Sequence, residues 1–176
     1  GAATALALAK EGAQVVVSAR SAGALQRLVA DGHGRIVSHP LDVTDAGAVQ
    51  QVAQSVLAQG PVDLMVYCAG HYRAMRADHL DLPDMQRHLE INYTGALLVL
   101  DALLPSMLAR GSGHISLVSS VAGYRGLPKS LAYGPTKAAL TNLAENLYID
   151  LQPRGLGVSV VHPGFVQTPL TAQNDF

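Results

Sequence analysis

Short apolar and β-branched runs alternate along the chain with longer segments in which apolar residues recur at helical spacing. The short runs predict strands at 14–19, 35–39, 62–68, 114–119 and 157–161. The longer segments predict helices at 2–11, at 22–30, from 44 or 45 to about 59, from about 84 to 110, and at 131–152. Strands separated by helices of this length favour right-handed crossovers. The pattern therefore predicts one α/β domain with a doubly wound, mostly parallel sheet and helices on both faces.

Several residues mark breaks or continuity within these elements. Gly12 closes the first helix as a glycine cap, and the long fourth helix is interrupted near Asn92 and by Pro105. Residues 62–68 are almost continuously apolar. We expect such a strand to be covered by helices on both faces, with Cys68 as a small buried side chain.

Polar and glycine residues follow each predicted strand. Ligands of doubly wound sheets bind beyond the carboxyl ends of the strands. All five groups of residues would line one edge of the sheet, where a nucleotide cleft would lie. They are Arg20, Asp42, Ala69 with Gly70, Ser119 with Ser120, and Pro163 with Gly164.

Composition narrows the possible classes of function. The chain has 176 residues, 49% hydrophobic and 14% charged, which suits one globular domain with a buried core. A net charge of -1 argues against a nucleic-acid-binding protein. One cysteine excludes a disulfide framework, and the spacing of the seven histidines predicts no metal site. No uninterrupted apolar run reaches the roughly 18 residues of a membrane span, so we expect a cytoplasmic protein.

Tyr133 and Lys137 stand four residues apart at the start of a predicted helix, so they share one face. An ammonium beside a phenol favours the phenolate and would lower the pKa of the tyrosine, which suits a general acid or base. The same spacing arises by chance in roughly a third of chains of this length. By itself the pair is therefore better interpreted as a surface helix pair.

The surrounding motifs strengthen the functional interpretation of Tyr133 and Lys137. Ser120-Val-Ala-Gly lies thirteen positions before Tyr133, and Tyr-Cys-Ala-Gly at 67–70 ends a predicted strand. Asn92 and Gly95 stand in the long helix, and Pro-Gly-Phe-Val-Gln-Thr-Pro at 163–169 follows the last strand. Together these segments resemble the short-chain dehydrogenase/reductase family, in its smaller single-domain branch. The resemblance covers essentially the whole chain in the correct order.

The resemblance implies a Rossmann-like fold and an NAD(P)-dependent interconversion of a ketone and a secondary alcohol. Tyr133 would be the general acid or base, and Lys137 would lower its pKa and bind the nicotinamide ribose. Ser120 would orient the carbonyl, with Ser119 a structural hydroxyl. Asn92 would hold a water that relays protons, although a buried asparagine that satisfies backbone groups is the alternative.

The resemblance also implies a set of cofactor contacts. Gly1 would be the last glycine of the phosphate-binding turn. Arg20, where a carboxylate would bind the ribose of NAD, favours the 2′-phosphate of NADP, although a plain surface arginine is a serious alternative. Asp42 and Val43 match a pair that contacts adenine, although Asp42 could instead cap the next helix. The remaining contacts would be Ala69, Gly70, Asn92, Tyr133, Lys137, Pro163, Gly164, Val166 and Thr168.

Other expectations concern the ends of the chain and the substrate. The first strand and most of the glycine-rich turn of the family are missing, as are its substrate lid and last strand, so we expect a truncated chain. Without that first strand, the strands at 14–19 and 62–68 would lack the neighbour between them. Tyr124, Leu127 and Leu131 would line an apolar substrate pocket, or else simply pack a loop. A homodimer or homotetramer is expected by resemblance.

Two other functions compete with this reading. A non-catalytic nucleotide-binding scaffold or redox sensor could share the fold, but it would not need Asn92, Ser120, Tyr133 and Lys137 together. A sugar-nucleotide epimerase or dehydratase shares the Tyr-x-x-x-Lys spacing. It usually requires a larger C-terminal domain.

Overall fold

A computed structural model describes residues 1–166 and contains an alternation of helices and parallel strands. We number the helices α1 to α6 and the strands β1 to β5. In chain order they are α1 Ala2–Lys10, β1 Val15–Ala19, α2 Ala22–Asp31, β2 Ile36–Pro40, α3 Ala46–Leu57, β3 Leu64–Tyr67, α4 Leu82–Leu89, α5 Gly95–Arg110, β4 Gly113–Val118, α6 Tyr133–Leu151 and β5 Leu156–Val161. The chain divides into two compact units, Gly1–Gly60 and Pro61–Phe176.

The first unit is a two-stranded parallel sheet with three helices. β1 pairs with β2 in the register Val15 to Ile36 through Ala19 to Pro40. Its core forms where Ala5 and Ala9 of α1 pack with Ile36, with Val15 and Val17 against them. The small alanines let the helix approach the strands closely, and Gly12, at a φ of +97°, turns the chain from α1 into β1.

The second unit is a three-stranded parallel sheet in the order β3-β4-β5. The central strand β4 carries Ile115 and Leu117, both completely buried, as expected for the middle of a parallel sheet. Helix α6 packs on this sheet through Leu140, which is also completely buried. The packing holds the first turn of α6 at the carboxyl end of β4, where the chemistry was predicted.

The long fourth helix is continuous from Leu82 to Arg110 but changes its winding in the middle. A π turn at Glu90–Thr94 separates α4 from α5, which confirms the predicted interruption near Asn92. Pro105, in contrast, lies inside α5 and does not end it, so the predicted break there is wrong. By length and composition alone this helix could cross a membrane, but a core helix of a soluble protein meets the same criteria.

The sheets agree with the predicted fold class and correct one detail of it. Among the described residues, β1 pairs with β2 in one sheet, and β3 pairs with β4 in the other. The prediction that β3 is covered on both faces is wrong. Met65 and Tyr67 are buried, whereas Leu64, Val66 and Cys68 are exposed. Strand side chains alternate between two faces, so Cys68 lies on the exposed one and is not a buried core residue.

We predict that Leu140→Ala destabilises the protein by about 2–5 kcal/mol, because it removes a completely buried side chain and leaves a cavity. Leu80→Ala, at a loop position 58% exposed, is the matched control and should cost under about 0.5 kcal/mol. Urea denaturation of both variants measures the difference. Equal losses would contradict the packing of α6 on the sheet described above.

Candidate active site

The side chain of Asn92 joins three segments of the second unit. Its Oδ1 accepts a hydrogen bond from the backbone N–H of His71 at 2.6 Å. Its Nδ2 donates to the carbonyl of His71 and to Oγ1 of Thr136, both at 3.0 Å. Asn92 is completely buried, and its amide therefore ties the loop after β3 to the π turn and to α6. The side chain acts as the structural alternative described, and the water relay stays a prediction.

The π turn that carries Asn92 is anchored to β3 by Tyr67. The N–H of Gly95 bonds to the carbonyl of Glu90, five residues back, and not to that of Ile91. The Ile91 carbonyl accepts a hydrogen bond from the phenol of buried Tyr67 at 2.5 Å. The buried phenol of Tyr67 thereby finds a hydrogen-bond acceptor in the π turn.

Lys137 is buried at the carboxyl end of β4. It is 3% exposed, and its Nζ donates to the carbonyl of Val118, the last residue of that strand, at 2.9 Å. Burial lowers the pKa of Lys137 to about 8, an effect that outweighs the opposing influence of nearby Cys68. A Cβ at Gly70 would stand 3.9 Å from the ammonium, so the glycine leaves room around it.

Tyr133 begins α6 beside this lysine but is not bonded to it. The ammonium lies 5.5 Å from the centre of the tyrosine ring. Burial raises the pKa of Tyr133, a hydrogen bond from Ser120 lowers it, and the nearby phenol of Tyr72 raises it further. The net pKa shift is upward, and the expectation that Lys137 lowers the pKa of this phenol stays a prediction. The Lys137 ammonium is directed at the strand carbonyl instead.

Ser120 and Ser119 make different hydrogen bonds, and the predicted role of Ser120 toward a substrate stays a prediction. Ser120 follows β4, hydrogen-bonds Tyr133, and its Oγ accepts the N–H of Ala122 at 3.2 Å. Ser119 is buried, and its hydroxyl donates to the carbonyl of Lys137 at 2.8 Å, so it is a structural group. The carbonyl of Pro163 accepts the N–H of Val121 at 3.1 Å, which brings the chain after β5 to the same place.

The structure thus brings together the proposed catalytic residues and several of the proposed cofactor contacts of the second unit. Contacts link Gly70, Asn92, Tyr133 and Lys137. Ala69 lies next to Gly70, and Gly164 and exposed Val166 follow Pro163. Thr168 lies outside the described residues.

The remaining predicted cofactor contacts belong to the first unit. Gly1 precedes the first turn of α1, and its carbonyl accepts the N–H of Ala5. Arg20 directly follows β1 and is exposed. Asp42 accepts the N–H of Thr44 at 3.0 Å and its hydroxyl at 2.8 Å, with Val43 between the two. Asp42 does not cap α3, because the carboxylate of Asp45 does so.

Comparison with known proteins supports the same assignment. The sequence model described as short chain dehydrogenase matches residues 1–175. The chain belongs to the short-chain dehydrogenase family. An uncharacterized oxidoreductase of Myxococcus xanthus is 38% identical over 98% of this chain and 70% of its own length. The 2-keto-3-deoxy-L-fuconate dehydrogenase of Xanthomonas campestris is 37% identical over 97% of this chain, which spans 56% of that relative.

A solved structure agrees with these sequence relatives. A short-chain dehydrogenase from Streptomyces avermitilis has a TM-score of 0.89 and 36% identity over 97% of this chain, which covers 64% of that structure. The fold is therefore the Rossmann-like α/β fold of these dehydrogenases, and the chain is an oxidoreductase of that family.

Two residues of this dehydrogenase that the sequence analysis did not single out lie close to Asn92. Asp84, in the first turn of α4, bonds to the ring of His71 at 2.8 Å, and completely buried His88 lies one helical turn further along. The spacing of the histidines along the chain does not indicate this grouping of His71 with His88, and the prediction of no metal site stays a prediction. A sequence signal existed in the i, i+4 spacing of Asp84 and His88, but only the fold brings His71 to them.

A cavity of about 560 Å³ lies beside α6. Tyr124, Leu127 and Leu131 all line it, as the pocket prediction required, and Arg76 and Arg125 lie at its wall. Neither Ser120 nor Tyr133 is among its lining residues, so its use by the substrate stays a prediction.

We predict that Lys137 makes stability rise with pH between about 8 and 10.5. In that window the unfolded chain holds a lysine proton that the folded chain has lost, so raising the pH favours folding. The stability difference between the protein and Lys137→Met should change by about 3 kcal/mol across the window, at about 1.4 kcal/mol per unit of pKa shift. Urea denaturation at several pH values measures it.

Lys10→Met is the matched control, because Lys10 lies on α1 and its charged side chain is exposed. A difference between the protein and Lys137→Met that does not vary with pH would show that the ammonium is not desolvated in the folded chain.

Proposed function

We propose that this chain is part of an NADP-preferring oxidoreductase that interconverts a ketone and a secondary alcohol, with Tyr133 as general acid or base. The observation that carries the proposal is the hydrogen bond between Ser120 and Tyr133 beside the buried ammonium of Lys137. A non-catalytic scaffold of the same fold would have no need to bury a cation beside a phenol. Burial of a cation is costly and calls for a compensating role.

The donor groups around Lys137 fit a dinucleotide cofactor. The ammonium has three N–H donors, and Val118 supplies its one hydrogen-bond acceptor among the described residues. A buried donor of this kind suits the hydroxyl groups of a ribose. Gly70 lies beside it without a side chain to obstruct a ligand. A nicotinamide cofactor bound beside Lys137 and Gly70 would supply the hydride in reduction or accept it in oxidation.

The protein's own residues would then handle the proton. The raised pKa of Tyr133 keeps its phenol protonated at neutral pH, so the hydroxyl is ready to donate to a carbonyl oxygen during reduction. Ser120, bonded to the same phenol, would donate to the developing negative charge on that oxygen. In the oxidation direction the phenol must first lose its proton.

We predict that Tyr133→Phe lowers kcat for ketone reduction by about 10²–10⁴-fold, because the proton donor is lost. NADPH affinity should stay within about threefold, a change of roughly 0.7 kcal/mol. Turnover over a ketone panel and nicotinamide fluorescence measure the two effects. Tyr148→Phe, at an exposed tyrosine of the same helix, is the matched control. Full turnover by Tyr133→Phe would eliminate the proposed role.

The cofactor preference rests on Arg20. Its guanidinium is exposed directly after β1 and makes no hydrogen bond or ion pair within residues 1–166. A free guanidinium at this position supports binding of a 2′-phosphate, which accepts charge-assisted hydrogen bonds. NAD, which has a hydroxyl there, would gain less from it.

We predict that Arg20→Glu lowers NADPH affinity by about tenfold or more, the worth of a lost charge-assisted hydrogen bond, and leaves NADH affinity nearly unchanged. Arg27→Glu, an exposed charge reversal on α2, controls for net charge. Fluorescence titration with both cofactors measures the ratio. An equal loss for NADPH and NADH in Arg20→Glu would argue against the phosphate contact.

Other features of the enzyme follow from the same proposal. The substrate is a small carbonyl or alcohol compound, apolar if the cavity with Tyr124, Leu127 and Leu131 receives it. Exposed Tyr148 and Ile149 on α6 support assembly as a homodimer or homotetramer through the long helices. A cytoplasmic location and the absence of a nucleic-acid partner stay predictions.

A further inference from the structure

The cluster of His71, Asp84 and His88 lies next to the proposed active site and has no part in the reaction described above. Ligand-type atoms of the three side chains all lie within 4.8 Å of one another. The rings of His71 and His88 are 4.4 Å apart, and Asp84 and His88 are buried. A group of two histidines and a carboxylate at this spacing has the composition of a metal site.

The hydrogen bonds of His88 argue against a metal ion. Its Nε2 accepts the backbone N–H of Arg73 at 3.1 Å, so this nitrogen carries no proton. Its Nδ1 must then hold the ring proton, which it donates to the carbonyl of Asp84 at 2.7 Å. Both ring nitrogens are therefore occupied. Burial lowers the pKa of His88, which favours this neutral form.

The cluster instead holds the short segment from His71 to Arg73 at both ends. At one end, Asp84 Oδ1 accepts from the ring of His71 at 2.8 Å. At the other end, His88 binds the backbone of Arg73, whose guanidinium also donates to Asp81 at 2.7 Å. The Asn92 side chain also hydrogen-bonds to the backbone N–H and the carbonyl of His71. A loop with this many fixed points has little freedom to move.

The residue between these fixed points is Tyr72, and its ring touches the proposed catalytic tyrosine. The rings of Tyr72 and Tyr133 meet edge to face, with centroids 5.2 Å apart and planes at 89°. Such a contact favours one relative orientation of two aromatic rings. The position of Tyr72 therefore bears directly on the orientation of the Tyr133 phenol.

We propose that Asp84 and His88 are positioning residues, which fix the segment His71–Arg73 so that Tyr72 holds Tyr133 in its reactive orientation. The proposal rests on the proposed function for its effect on catalysis, but the packing it describes can be tested separately. Neither residue touches the reacting atoms. Both act through the loop and Tyr72.

The first test follows the Tyr133 ring by ¹⁹F NMR in the intact protein labelled with 3-fluorotyrosine, its resonance assigned by loss in Tyr133→Phe. Asp84→Ala should shift or broaden that resonance. Asp84→Asn should largely restore it, because the amide oxygen still accepts from His71. Asp78→Ala, at an exposed acidic residue of the neighbouring 3₁₀ turn Ala77–His79, is the control and should leave it unchanged. An unchanged resonance in Asp84→Ala would overturn the proposal.

The second test separates kcat from KM in the same variants. Asp84→Ala should lower kcat by about tenfold, the cost of a small misplacement of a reacting group, with NADPH affinity within about twofold. Asp84→Asn should recover most of the lost kcat. A change in KM or melting temperature alone, with kcat unaffected, would show that Asp84 is only structural. If the unmodified protein reduces no ketone, the proposed function fails, and the ¹⁹F result still decides the positioning.

If Asp84→Ala does not fold, Tyr72→Leu removes the ring contact without touching the buried carboxylate and should give the same kcat loss. Nitrogen-15 NMR of the unmodified protein supplies an independent check. His88 should be neutral with the proton on Nδ1, and a proton on Nε2 would contradict its bond to Arg73.

Discussion

The three hydrogen bonds of the Asn92 side chain are the interaction on which the second unit's site depends. They join the loop after β3, the π turn and α6, and all are made by a completely buried amide. A buried amide left without partners costs about 1–3 kcal/mol, so the three segments can take up their positions only together. Gly70 and the start of α6 are placed by this one side chain.

The π turn makes that arrangement possible. Ordinary α-helical winding would pair the Ile91 carbonyl with Gly95, whereas the wider turn leaves it available to the phenol of Tyr67. The helix gives up regular hydrogen bonds at one point, and buried side chains of β3 and the turn replace them. An irregular winding at the centre of a long helix thereby connects it to the sheet.

Electrostatics then gives different roles to Tyr133 and Lys137, which stand four residues apart. Burial acts in opposite senses on them, because it disfavours whichever form is charged. It lowers the pKa of Lys137 toward neutrality and raises the pKa of Tyr133 away from it. Both groups are thereby shifted toward their neutral forms, which suits a phenol that donates a proton in the proposed reduction. Spacing along a helix could not show this, since it says nothing about burial.

The sequence by itself determined the order of helices and strands and the interruption at Asn92, because these follow from local periodicity. The grouping of Ser120, Tyr133 and Lys137 followed from the resemblance of the motifs to a family. Only the tertiary structure decided which face of β3 is exposed, where the Lys137 ammonium points and that His71 meets Asp84 and His88. Each of those contacts joins residues far apart along the chain or depends on what covers a surface. A pattern read along the chain carries no information about either.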